Sequence, residues 1–131
     1  MANTVEVTRA SELDEGTGGW TQGMVRKGAI VDKSDKICSL VMQAQPHSCS
    51  AVHHHGDQDT VVYVAKGHGS IVFDGGRRRE NLSPGDFALI PAYTEHQEVN
   101  ESGQEVKWII TRTGRKPITV NLEGWGGGSA K

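Results

Sequence analysis

The sequence predicts an all-β protein, a sandwich or barrel of short strands forming one domain over residues 1–131. Three observations predict it. Apolar, β-branched segments recur at a spacing of roughly 8–12 residues with turn signals between them. The 17 glycines lie scattered between those segments, as expected where tight turns join many strands. Helix-favouring runs are scarce, and 131 residues suffice to bury a core without staples.

The elements follow in order. Val5 and Val7 alternate with polar residues and predict a short lead-in strand. Ser11 to Glu15 predict one helical turn ahead of Gly16-Thr17-Gly18-Gly19. Strands are predicted over 24–31 and 37–43, separated by the polar turn Asp32-Lys33-Ser34-Asp35-Lys36. Residues 60–65 are β-branched and aromatic, and 70–73 pair with them beyond Gly67-His68-Gly69. Asp74-Gly75-Gly76 is a hairpin turn, because glycine accepts the positive φ such turns require. Residues 87–90 form an apolar strand that ends at Pro91, and 97–100 and 106–111 complete the set. The tail, 124–131, is glycine-rich and expected to be mobile beyond Trp125. Trp108 and Phe87 are assigned to core or interface. Trp20 and Trp125 are assigned to closing the barrel ends or covering a partner.

Composition narrows the function. Acids number 16 and bases 14, with no dominant basic stripe, so no nucleic-acid partner is expected. The one basic run, Arg77-Arg78-Arg79, follows a turn and reads as solvated rather than phosphate-binding. Two cysteines, Cys38 and Cys49, make no disulfide framework and fit a reducing compartment. The first residues lack the basic and apolar regions of a signal peptide, and no stretch approaches bilayer-spanning length. A cytoplasmic protein with no membrane association is expected.

The histidines carry the chemistry. His53, His54 and His55 are consecutive, and side chains on a strand alternate faces. His53 and His55 therefore point one way and His54 the other. Two imidazoles at i and i+2 on a concave face can converge on one ion. His96, after a strand, a proline and a short turn, is the candidate third ligand.

At these residues the chain resembles the cupin family, whose motifs read G-x5-H-x-H-x3,4-E-x6-G and G-x5-P-x-G-x2-H-x3-N. The second is nearly complete: Gly85, Pro91, His96 and Asn100 stand at their positions, with Tyr93 where the family has glycine. Tyr93 is expected to keep its turn out of positive φ, which is costly for a bulky residue. In the first motif His53, His55 and Gly67 match, His47 replaces the leading glycine, and Thr60 stands at the glutamate position. Asp59 lies one residue early and Gln58 two. The resemblance covers roughly residues 37–112. It implies a cupin double-stranded β-helix, a jelly-roll barrel, with one divalent transition metal on His53, His55 and His96. Fe, Zn, Mn, Ni and Cu are all compatible, with Fe slightly favoured. Gln58 or Asp59 would stand beside the ligands as orienting or catalytic groups.

Three readings of function follow from the resemblance. The first is an Fe(II) dioxygenase acting on a small organic anion or an enolisable or phenolic compound, favoured by a site of three histidines with open positions. The second is a non-redox metal-dependent lyase, decarboxylase, isomerase or cyclase, with Asp59, His54 or Tyr93 as base. The third is a small-molecule-binding barrel without catalysis. Cys49 shares the parity of His53 and is read as a buried inert thiol. Tyr63 is read as packing outward or at a dimer face, and a homodimer is expected.

Overall fold

The structure is a computed structural model that describes residues 4–17 and 23–129. The described residues form eleven strands: β1 (Met24–Ile30), β2 (Ile37–Ala44), β3 (Ser48–Cys49), β4 (His53–His54), β5 (Thr60–Lys66), β6 (Gly69–Phe73), β7 (Arg78–Leu82), β8 (Phe87–Ile90), β9 (His96–Asn100), β10 (Val106–Thr113) and β11 (Val120–Asn121). They form two antiparallel sheets. One has the order β1-β2-β10-β5-β8; the other runs β11-β4-β9-β6-β7, with β3 also on β9. The sheets face each other as a single jelly roll. Trp20 lies outside the described residues.

Strand alternation builds the interior. On β2, Cys38, Leu40, Met42 and Ala44 point inward; on β5, Thr60, Val62 and Val64; on β10, Val106, Trp108, Ile110 and Arg112. Trp108 is fully buried in an apolar cluster that includes Leu40, Met42, Val64 and Ile71. Gly69 is required there, since a Cβ on it would stand 2.5 Å from Trp108 Cζ2. At the other end the inward row turns polar: Arg112 follows Ile110, Thr60 precedes Val62, and β9 supplies His96 and Glu98. The barrel is thus half apolar core and half charged chamber.

Several expectations are corrected. Residues 4–9 form no strand, and Val5 and Val7 are exposed. The predicted helical turn is two 3-10 turns, Ala10–Glu12 and Glu15–Thr17. The basic run enters β7, whose Arg-Arg-Glu-Asn-Leu sequence carries no apolar alternation. Pairing across the hairpin makes it a strand, from Gly69↔Leu82 to Phe73↔Arg78. As an exposed edge it tolerates charge on both faces. Arg77 bonds Asp74 at 2.8 Å and Arg79 pairs with Glu101, so the run is solvated. Beyond Trp125 the chain does not trail off: Leu122 bridges Ser129, and the Gly126 amide bonds Glu95 at 2.7 Å. Cys49 is exposed rather than buried, because β3 lies at the rim; Cys38 is buried.

The left-handed turns hold regardless of residue type. Tyr93 adopts φ 60° and His47 φ 53°, both where the motifs have glycine. The Tyr93 amide bonds Gly56 O at 2.8 Å, and its ring projects into solvent. The steric penalty of the left-handed region, about 1–2 kcal/mol, is therefore absorbed without a clash. Asn100, the last residue of the second motif, donates to the carbonyls of Ala44, Gln45 and Gln104 at 2.7–3.2 Å and ties the 101–105 turn to β2.

Candidate metal centre

Four ligand-type side chains meet in the polar chamber. One donor atom from each of His53, His55, His96 and Glu98 lies within 4.8 Å of the others, and all four residues are buried. His53 stands directly across from His96 in the β4–β9 pairing. His55 follows two residues on, and Glu98 follows His96 two residues along β9, so alternation puts all four on the inner face.

Each imidazole is oriented from behind. His53 Nδ1 bonds Ala51 O at 2.8 Å, His96 Nδ1 bonds Thr94 O at 2.9 Å and His55 Nδ1 bonds Ile118 O at 2.9 Å. A carbonyl only accepts, so every Nδ1 carries its proton and every Nε2 presents a lone pair inward when the ring is neutral. Such backing carbonyls fix the tautomer, as in metal-ligating histidines generally. The Glu98 carboxylate lies 3.1 Å from His53 Nε2 and 3.5 Å from His96 Nε2, and accepts from Ser50 Oγ at 3.1 Å. Apart from that 3.5 Å approach of Glu98, His96 Nε2 has no hydrogen-bond partner among the described residues.

This chemistry fits a cation. Burial pushes the His53 and His55 imidazoles down from their ordinary range, with Arg112 adding to the effect at His55. Burial alone would raise Glu98, but positive charge at His53 and His96 outweighs it and holds the carboxyl well below its usual range. A buried carboxylate facing lone pairs across 3.1 Å is stable only with positive charge between them. A divalent ion supplies that charge without protonating buried rings.

Two guanidiniums flank the cluster. Arg26 Nη2 lies 3.9 Å from Glu98 and 3.5 Å from His53 Nε2. Arg112 Nη1 bonds Ile118 O at 3.3 Å, sharing that acceptor with His55, while its Nε and Nη2 have no hydrogen-bond partner among the described residues. Burial and then Arg26 push the Arg112 guanidinium down to about 9, which leaves it charged at neutral pH.

The structure thus brings His53, His55 and His96 together and leaves Gln58 and Asp59 out of the cluster. Asp59 is exposed and caps the turn before His96 by accepting from the Ala92 amide at 3.0 Å. Gln58 is buried and clamps the 116–118 segment: its Nε2 donates to Lys116 O at 2.6 Å and its Oε1 accepts from the Ile118 amide at 2.8 Å. Its backbone amide donates to His55 O at 3.2 Å, and its side chain holds Ile118, whose carbonyl backs the His55 imidazole. Thr60, at the motif's glutamate position, is buried opposite Arg112 and is not a cluster member. Sequence reasoning missed Glu98. The signal was its i+2 spacing from His96 on an inward-facing strand. His54 turns to the other face, near Tyr93 at 6.0 Å between ring centroids.

Fold and site define a small jelly-roll barrel whose buried three-histidine, one-carboxylate cluster can hold a metal. The chain belongs to the cupin family: the profile described as Cupin domain matches residues 40–112, more than half of the sequence. No curated protein matches the sequence significantly. Among solved structures it is similar to a sugar phosphate isomerase of the cupin superfamily from Silicibacter pomeroyi, at 26% identity and TM-score 0.56. That match covers 67% of this chain and 59% of the isomerase, less than two thirds of its length. The polyketide cyclase RemF from Streptomyces resistomycificus matches at 19% identity and TM-score 0.69, covering 93% of this chain and 86% of that one. KdgF from Halomonas sp. matches at 19% identity and TM-score 0.66, covering 86% and 96%. No helix among the described residues is long and apolar enough to cross a membrane.

Proposed function

We propose that this chain is a metal-dependent enzyme that performs non-redox chemistry, an isomerisation, cyclisation or elimination, on a small enolisable anion. The observation that carries the reading is the convergence of three imidazoles and one carboxylate, with every Nδ1 already committed behind them. The ligands would be His53, His55, His96 and Glu98, and the mixed nitrogen and oxygen donors suit Fe, Mn, Ni or Zn. Bound there, the ion supplies Lewis acidity that polarises a carbonyl or enolate oxygen.

The residues around it divide the remaining work. Ala51, Thr94 and Ile118 carbonyls orient the rings. Arg26 and Arg112 add positive charge that favours an anion. Glu80 is the carboxylate that lines the cleft leading to His96, together with Thr94. In this reading it would exchange a proton with a molecule seated there. The dioxygenase reading drew on a site of three histidines alone. Glu98 supplies a fourth donor, so that ground no longer favours oxygen chemistry. The 26% match to an isomerase supports the reaction class only.

We place the protein in the cytoplasm as a homodimer. Support for the dimer is an apolar strip on the outer face of the five-stranded sheet, where Phe87 and Leu89 are 69% and 66% exposed and Tyr63 packs on Phe87 at 4.7 Å. Phe87→Lys with Leu89→Lys is expected to yield monomers by light scattering.

The test of function is metal analysis of protein purified without chelator, followed by turnover of β-keto acids and enolisable anions with and without oxygen. Stoichiometric metal and oxygen-independent turnover that Glu80→Gln abolishes support the reading. Turnover that consumes oxygen stoichiometrically contradicts it.

A further inference from the structure

We infer that the site takes an amphipathic anion, a substrate whose apolar body lodges in the cleft beside β8 and whose oxyanion head meets the His/Glu cluster, and not a sugar phosphate. The inference deepens the metal-dependent reading and rests on it.

A cavity of about 300 Å³ reaches His96. That is the low end of the range for small-molecule pockets. Its walls are mostly apolar, Ile71, Phe73, Ala88, Leu89, Ile90 and Pro91, with Glu80 and Thr94 the only polar side chains ahead of His96. A polyhydroxylated sugar seated there would find only Glu80 and Thr94 to bond and would set its remaining hydroxyls against carbon, stripped of water. A flat ring or a branched chain loses nothing by the same burial and gains the hydrophobic contribution of the buried area.

Charge points the same way. Neither lysine nor arginine lines the cavity; its one carboxylate is that of Glu80, an exposed residue. Arg78 lies over the Phe73 ring at 5.0 Å, outside that lining. A phosphate dianion in the cleft would therefore face Glu80 without a cation on the wall. The chamber behind His96 is the reverse. Arg26 and Arg112 are buried there against the single carboxylate of Glu98, so the interior is positive before any metal is added. Arg112 Nε and Nη2, with no hydrogen-bond partner among the described residues, are buried donors that a ligand oxygen or water would satisfy. The cleft thus carries a carboxylate and apolar walls as far as His96, and the positive side chains lie beyond that residue. A ligand with the matching sequence enters head first.

The probes are 1-naphthoate, its neutral analogue 1-naphthamide, and ribose 5-phosphate. Binding is measured by calorimetry on the Co(II)-loaded full chain, with Co(II) visible absorption reporting contact with the ion and metal content measured on the same samples. Naphthoate is expected to bind at least roughly tenfold more tightly than either of the others and to shift the Co(II) spectrum. Ala88→Glu places a charge in the cleft, and Ala88→Leu fills it without one. Both are expected to weaken naphthoate at least about tenfold with metal content unchanged. Tighter binding of ribose 5-phosphate, equal binding of naphthamide, or unchanged naphthoate affinity in both variants overturns the inference while the metal reading stands. A wild-type chain that takes up no cobalt yet binds naphthoate, with that binding lost in both Ala88 variants, overturns the metal reading and keeps the cleft assignment.

Discussion

Replacing Glu98 with glutamine probes the charged chamber most sharply. Glutamine keeps the shape and leaves an oxygen for the Ser50 hydroxyl, now 3.1 Å from the carboxylate. It removes the one negative charge facing Arg26, at 3.9 Å, and His53, at 3.1 Å. Removing one partner of a buried ion pair costs about 3–5 kcal/mol, because the remaining charge stays out of water uncompensated. At 3.9 Å the Arg26 contact is not a bidentate pair, so the lower end, about 3 kcal/mol, applies to the metal-free protein. With urea m-values of roughly 1–3 kcal/mol/M, the unfolding midpoint should fall by about 1 M or more. The assay is urea unfolding of chelator-treated protein, followed by circular dichroism and tryptophan fluorescence. Arg26→Met combined with Glu98→Gln should recover much of the loss, because neither charge is then buried alone. A Glu98→Gln midpoint equal to wild type, or single losses that simply add in the double variant, would refute the argument that the carboxylate compensates Arg26.

His96→Ala should lose most bound metal while keeping the fold, whereas His54→Ala, whose ring lies on the other face, should keep it; metal analysis after gel filtration checks both. Gln58→Ala removes two buried bonds to the 116–118 segment and frees the Ile118 carbonyl behind His55, so metal affinity should drop roughly tenfold or more, read by competition with a chromogenic chelator. The metal-free protein should lose stability on acidification. His53 and His55 are pushed down in the folded state, so the unfolded chain takes up protons first as the pH falls below about 6.5. Their contribution is whole above that pH and shrinks below it, by up to roughly 1.4 kcal/mol per pH unit for each group. Denaturant midpoints between pH 7 and 5 that stay level would contradict this.

The sequence and the structure agree most where strand alternation alone decides. The 87–90 strand lies where apolar residues and Pro91 put it, and His53 and His55 share a face because they are two apart. Legibility fails where tertiary pairing overrides local pattern. Nothing in Arg78–Leu82 reads as a strand until the hairpin lays it against β6. Tyr93 and His47 occupy left-handed backbone that their side chains disfavour, because the surrounding fold dictates the turn. Glu98 was hidden for a different reason. The motif assigns its acidic ligand to the first half of the site, at the position Thr60 fills, while this chain's buried carboxylate arrives from β9. Gln58 and Asp59 lie near the expected place in sequence, but the first faces the 116–118 segment and the second the turn before His96.

One ion seated among the four donors would balance the charge of the chamber. An anomalous difference map from crystals of protein grown with Mn(II) or Co(II) tests this directly. It should show a single strong peak about 2.0–2.2 Å from Nε2 of His53, His55 and His96 and from a Glu98 oxygen. A map with no peak in that chamber, or with the metal held elsewhere on the surface while the four side chains keep their metal-free contacts, would contradict it.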